Sequence, residues 1–208
     1  FIAATTLAQG GWQIAFRRVP EAISMAVPVL GIVLFVILMI LVFGEKDGVY
    51  IWTNAEHVAA DRALTWKSGF LSKSFFTVAT IITLAVWMLF TIKLRRMSIE
   101  EDGWDLRPET GRKLIWRNTV WCGGFLVLFT LSVGSTTPWL WLMSIDAHWF
   151  STMYSWYTFA STWVSGLALI SLFVVYLKKH GYLTMVNEEH LHDLRTCLFA
   201  FTIFWTYL

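Results

Sequence analysis

The stretch from Ser144 to Leu177, SIDAHWFSTMYSWYTFASTWVSGLALISLFVVYL, decides the fold class of this chain. No charged residue lies between His148 and Lys178, which leaves an uncharged run of about 29 residues. A hydrocarbon core about 30 Å thick needs about 20 helical residues. The run 149–177 therefore predicts a transmembrane helix with some tilt.

Polar side chains recur along this stretch with alternating spacings of three and four residues, which places them on one face of a helix. At 1.5 Å per residue this polar stripe would extend over roughly 25 Å. With Asp146 at its mouth, the stripe is typical of a proton path, and equally of a hydrogen-bonded seam between helices. The residues of the predicted path are Asp146, His148, Ser151, Ser155, Thr158, Thr162 and Ser165.

The composition of the whole chain agrees with a membrane protein. Apolar residues make up 57% of the 208 residues, charged residues only 14%, and the mean hydropathy is +0.60. A soluble domain has about a quarter charged residues. The net charge of +2 lies in the loops, without the clustered basic face that nucleic-acid binding requires.

Apolar runs predict an all-α, polytopic transmembrane helical bundle that forms a single domain over residues 1–208. Four runs are long enough to be complete spans, and two terminal runs are too short, so we expect this sequence to be a piece of a longer chain. The complete spans are predicted at 24–43, 71–92, 119–137 and 149–177, and the partial ones at 1–16 and 195–208.

The loops between the predicted spans alternate in charge. Residues 93–117 hold seven basic side chains, whereas 136–148 hold none, and 178–195 again hold three. The positive-inside rule therefore predicts that 93–117 and 178–195 are cytoplasmic, together with Arg17 and Arg18, and that 44–70 and 136–148 face the other side.

Ligands for a redox centre are not evident in the sequence. All five histidines lie outside the predicted spans, and Cys122 and Cys197 form no cluster, so we expect no haem, iron–sulfur or metal centre in this segment. A quinol could still be a ligand, because its head-group needs only an aromatic wall and a few polar groups. The predicted quinone contacts on the non-cytoplasmic side are His57, Asp61 and His148.

Several stretches resemble a known family. They are Gln9-Gly-Gly-Trp12 with Arg17-Arg-Val-Pro-Glu-Ala22, Lys67-Ser-Gly-Phe-Leu71 with Phe75-Phe76, Leu142-Met-Ser-Ile-Asp-Ala-His-Trp-Phe-Ser-Thr-Met153, and Phe199-Ala-Phe-Thr-Ile-Phe-Trp205. The chain is similar to the NrfD-like (polysulfide reductase membrane subunit) proteins of bacterial alternative complex III, most of all to the second of the pair in that complex.

The resemblance implies a multi-pass subunit of a respiratory quinol:electron-acceptor oxidoreductase in the bacterial inner membrane. It implies that haem and iron–sulfur centres belong to partner subunits, namely an iron–sulfur subunit, haem c subunits and a sister NrfD-like subunit, and that a terminal oxidase can accept the electrons. This chain would be a non-catalytic or quinone-contacting subunit that contributes to assembly and to a proton path.

Two alternatives from other classes remain. A purely structural membrane scaffold would use Ser155 and Thr158 to hydrogen-bond neighbouring helices. A secondary transporter would need inverted repeats or broken helices around a midplane site, and the sequence shows neither. If the proton path exists, replacing Asp146 and His148 together should reduce proton movement or turnover while assembly stays intact.

Overall fold

The computed structural model describes residues 1–44, 48–103 and 108–208, and all regular structure in those ranges is helical. The α-helices are α1 (Ile2–Leu7), α2 (Arg18–Ser24), α3 (Val27–Phe43), α4 (Ala55–Ala60), α5 (Arg62–Lys67), α6 (Lys73–Glu101), α7 (Pro108–Leu131), α8 (Thr152–Lys179) and α9 (Glu188–Tyr207). Short 3₁₀ helices form at Gly11–Phe16, Ile51–Thr53 and Met143–Ile145, and a π-helix at Ser132–Leu142.

Four helical segments in the described part of the chain are long and apolar enough to cross a membrane. They are Arg18–Phe43, Lys73–Glu101, Glu109–Ile145 and Thr152–Lys179, with 26, 29, 37 and 28 residues. Each exceeds the roughly 20 residues that a hydrocarbon core requires. Many of their large apolar side chains are exposed, as expected of a surface that contacts lipid. The predicted all-α membrane bundle is confirmed.

The helix bounds differ from those predicted, because apolar runs indicate lipid contact whereas backbone hydrogen bonding continues into polar sequence. The span predicted at 71–92 continues to Glu101, and the one predicted at 119–137 begins at Pro108 and ends in the π-helix. The helix predicted from 149 begins only at Thr152, and the one predicted from 195 begins at Glu188.

The two N-terminal segments are each divided. The helix predicted over 1–16 is interrupted after Leu7, where Gln9 adopts a positive φ of 52°, and the chain resumes as the 3₁₀ helix Gly11–Phe16. The span predicted at 24–43 consists of α2 and α3, and Pro28 lies in the first turn of α3, where a missing N–H leaves no helical bond unmade.

Two buried clusters hold the bundle together, one toward each end. We call the end that contains residues 48–72 and 143–151 the outer end, and the opposite one the inner end. The outer core centres on Val42, Tyr50, Leu64, Phe76 and Leu140, where α3 packs against α6. The inner core, where α8 packs against α9, centres on Phe16, Leu167, Ile170, Val174 and Leu194.

Cross-links between distant loops show which of them share an end. Lys67 and Ala147 meet at the outer end, and Arg18 meets Ser98 and Asp102 at the inner end. This pairing agrees with the predicted alternation of the loops. Which end faces the cytoplasm stays a prediction from the charge rule.

Candidate functional site

The outer end contains the two short helices α4 and α5, and a side chain caps the N-terminus of each. Asn54 Oδ1 accepts a hydrogen bond from the Glu56 amide at 3.0 Å, and Asp61 Oδ1 accepts one from the Ala63 amide at 2.8 Å. Both are typical N-cap bonds. Capping leaves the second carboxylate oxygen of Asp61 available to a partner outside α5.

That partner is His148. Its Nε2 lies 2.8 Å from Asp61 Oδ2, with the histidine side chain 58% and the aspartate side chain 30% exposed. Nearby, Lys67 Nζ donates to the Ala147 carbonyl oxygen at 2.5 Å. The two bonds tie α4 and α5 to the loop that precedes α8. The structure thus brings together two of the three predicted quinone contacts, whereas His57 is exposed on α4.

Below these ties the outer core is anchored by a buried tyrosine. Tyr50 Oη donates to the Trp141 carbonyl oxygen at 2.9 Å, and Trp141 Nε1 donates to Thr80 Oγ1 at 3.0 Å. Burial raises the pKa of Tyr50 to about 12, so the hydroxyl keeps its proton and remains a donor. The Tyr50 ring also packs edge-on against Phe76, with ring centroids 5.5 Å apart.

A cavity of about 480 Å³ opens at this end between α5, the π-helix and the start of α8. Its wall is largely aromatic, and its polar groups include Lys67, Ser151 and Thr152. Asp61 and His148 do not line it, but both chain neighbours of His148 do. The aromatic lining residues are Trp66, Phe70, Trp139, Trp149 and Phe150.

The polar stripe of α8 differs from its prediction at its upper end. Because α8 begins at Thr152, His148 and Ser151 precede the helix and are not part of a helical face. Asp146 is exposed, and its Oδ1 accepts a bond from the His148 amide at 3.1 Å. Asp146 does not cap α8, because the helix begins at Thr152 and its N-cap residue is Ser151.

Lower along α8, each hydroxyl of the stripe donates to a backbone carbonyl. Ser155 Oγ donates to Gly134 O of the π-helix at 3.2 Å, and Thr158 Oγ1 donates to Tyr154 O within α8 at 3.0 Å. The last two hydroxyls of the stripe likewise bond within α8, Thr162 to Thr158 O and Ser165 to Ser161 O, and both side chains are exposed. The proton path stays a prediction. The bond made by Ser155 is equally typical of a hydrogen-bonded seam between two helices.

The inner end holds a buried charge cluster that sequence reasoning did not identify. Glu21 on α2 has a side chain only 4% exposed. Its Oε1 accepts a bond from Ser98 Oγ at 2.6 Å and lies 3.0 Å from Arg17 Nε. Its Oε2 accepts bonds from Arg95 Nη1 at 2.7 Å and Arg18 Nη1 at 3.1 Å. Three hydrogen-bond donors and the adjacent Arg17 guanidinium surround this carboxylate, as a buried charge requires.

Part of this cluster could be predicted from the spacing of residues in the sequence. Arg17 and Arg18 precede Glu21 by four and three residues, the spacing of ion pairs on one helix face. Arg95 and Ser98 lie more than seventy residues away in the sequence, and no local pattern connects them to Glu21.

Within residues 1–44, 48–103 and 108–208, no group of three or more His, Cys, Asp or Glu side chains could hold a metal ion. His190, which lies in a predicted loop, instead caps α9: its amide donates to Asn187 Oδ1, and its Nδ1 accepts from the Asn187 amide. No protein-family model and no curated protein sequence matches this chain. The family resemblance therefore rests on short stretches of the sequence itself, and the function assigned from it is a proposal.

Proposed function

We propose that this chain is an NrfD-like membrane subunit of a bacterial alternative complex III, a respiratory quinol:electron-acceptor oxidoreductase. In this proposal it is a multi-pass protein of the inner membrane beside a sister NrfD-like subunit. An iron–sulfur subunit and haem c subunits hold the redox centres, and a terminal oxidase is a further partner. Four long apolar helices and the stretches that resemble the family support this assignment.

The contribution of this chain would be a quinol contact at the outer end, and the aromatic cavity is the observation that carries it. A quinol head-group is a flat ring with two hydroxyl oxygens. Indole faces such as those of Trp139 and Trp149 would pack on the ring, while Lys67 and Ser151, which line the same wall, would bond its oxygens.

In this proposal the Asp61–His148 pair, which lies beside the cavity without lining it, would accept a proton from the bound quinol. His148 lies between two residues of the cavity wall and is exposed, so it can exchange protons with solvent. The imidazole ring of His148 would take up the proton on a ring nitrogen. The Asp61 carboxylate would stabilise the resulting imidazolium.

A photoreactive quinone tests this proposal on the membrane-embedded full chain. Trp149→Ala removes a lining ring, and we expect labelling to fall about threefold to tenfold, as for the loss of one aromatic contact. Trp156→Ala is the matched control, because Trp156 is an exposed indole on α8 that does not line the cavity. Equal labelling of wild type and Trp149→Ala would contradict a quinol contact here, and an equal fall in both variants would also count against it.

A second candidate function is that of a membrane scaffold without quinol contact. The bond from Ser155 to Gly134 favours it, since that bond joins two membrane-crossing segments. Thr158, by contrast, bonds within its own helix and not to a neighbour as the scaffold alternative expects. Purification with haem- and iron–sulfur-containing partners but without photolabelling of this chain would establish the scaffold in place of the quinol contact.

A further inference from the structure

A second cavity, of about 310 Å³, lies at the inner end between α1, α2, α6, α7 and α8. Most of its wall is apolar, and the lining residues Thr162, Gly166 and Leu169 are exposed. The apolar lining includes Phe125, Phe129, Val133, Phe159, Leu167 and Ile170.

The cavity is long and has a polar and an apolar end. On α7 and the π-helix its wall extends from Asn118 to Val133, fifteen residues or about 22 Å along the axis. Half the thickness of a hydrocarbon core is about 15 Å, so the wall is longer than one leaflet is deep. The cavity therefore has the dimensions of one extended acyl chain that enters from the inner membrane surface.

The polar end is formed by the buried charge cluster. Arg17 and Arg95 both line the cavity, and Glu21 is the carboxylate that lines it with them. The lining residues include two arginines and one carboxylate, an excess of one positive charge, and Arg17 also lies 3.7 Å from Glu101, which is not part of the wall. Asn118, whose Nδ2 donates to Glu101 Oε1 at 2.5 Å, completes the rim.

The surrounding surface has the same sign. Among the described residues of 17–24 and 93–118 there are eight basic and five acidic side chains. Lys93, Arg96, Arg112 and Lys113 are exposed there. Basic residues near a membrane surface attract anionic lipids, by about 1 kcal/mol for each Lys or Arg.

We propose that the inner cavity binds one acyl chain of an anionic phospholipid, with the lipid phosphate held at Arg17 and Arg95. Guanidinium groups match phosphate oxygens with paired hydrogen bonds, and they bind the uncharged ring of a quinone less well. The site lies at the other end of the bundle from the aromatic cavity, so this proposal is independent of the quinol contact.

Native mass spectrometry of the full chain, after equilibration with mixed phosphatidylglycerol and phosphatidylcholine vesicles, tests the site. We expect wild type to retain phosphatidylglycerol in preference to phosphatidylcholine. Arg95→Gln should reduce that preference about fivefold. Gly166→Leu should displace the acyl chain, because Gly166 lines the cavity and a Cβ built there meets no atom within 4 Å.

Ala168→Leu is the matched control, since Ala168 is exposed on the same helix and does not line the cavity. It should retain lipid as wild type does. The Gly166→Leu result keeps the proposal testable if Arg95→Gln fails to fold. Equal retention of both lipids by wild type, or unchanged retention in Gly166→Leu, would overturn it.

Discussion

At the scale of single residues, Glu21 is a buried carboxylate whose charge depends on its partners. A charged carboxylate that is removed from water must be fully paired, and removing one member of a buried ion cluster leaves the others uncompensated. Arg18 and Arg95 would then face each other across the position of the lost charge. Because Arg95 and Ser98 belong to α6, Glu21 also joins α2 to α6.

We therefore expect Glu21→Gln to lower the free energy of unfolding by about 2 kcal/mol, less than for a fully buried pair because the three arginines are partly exposed. The measurement is thermal unfolding of the detergent-solubilised full chain.

Glu188→Gln is the control for that measurement. Its hydrogen bond and ion pair with Lys178, at 2.6 Å, lower the pKa of the Glu188 carboxyl, but the group is fully exposed. Exposed pairs contribute little, so its unfolding temperature should match wild type. A Glu21→Gln variant as stable as Glu188→Gln would show that the cluster is not a structural tie.

At the scale of elements, the junction of the π-helix with α8 explains one hydroxyl of the polar stripe. Pro138 has no N–H, and in a π-helix, whose amides bond five residues back, it cannot donate to the carbonyl of Val133. At the next residue, the Gly134 carbonyl oxygen accepts a hydrogen bond from Ser155 Oγ of α8 at 3.2 Å, so the side chain joins α8 to the π-helix beside the proline. A wide π turn commonly accompanies such an interruption.

Replacing Ser155 by Ala should therefore weaken the contact between α8 and the π-helix by about 0.6 kcal/mol, the average for hydrogen bonds between membrane helices. Ser165→Ala is the comparison, because its hydroxyl bonds only to Ser161 O in its own helix. Unfolding of both variants by a denaturing detergent provides the measurement. Indistinguishable stabilities would mean that the Ser155–Gly134 bond does not join the two segments.

At the scale of the whole molecule, the two ends of the bundle differ in chemistry. The outer end has an aromatic cavity with a carboxylate–imidazole pair, and the inner end has an arginine cluster and a surplus of basic side chains. This asymmetry is what the positive-inside rule uses to assign orientation.

Single cysteines in a Cys122→Ala/Cys197→Ala background test the orientation. Glu56→Cys and Lys179→Cys lie at exposed positions on opposite ends of the bundle. An impermeant maleimide should label Glu56→Cys in sealed cells and Lys179→Cys only in inverted vesicles. Labelling of both from one side would contradict the bundle topology, and the reverse pattern would contradict the charge rule for this chain.

Much of the architecture was predictable because it depends on local sequence. Uncharged runs such as 149–177 must be helical in lipid, since only intrahelical bonds satisfy their backbone groups there. Helix ends were less predictable: the continuation of α6 to Glu101 adds no apolar signal, and the Asn187 cap of α9 lies in polar sequence.

The sequence by itself determined the helical class, the number of complete spans and the pairing of loops at each end, because hydropathy and charge act residue by residue. Tertiary structure alone decided that Glu21 meets Arg95, that Asp61 meets His148 and that two cavities open at opposite ends. These contacts depend on the rotation and axial shift of each helix against its neighbours. Those quantities are set by the packing of side chains far apart in the chain, which a single helical pattern does not contain.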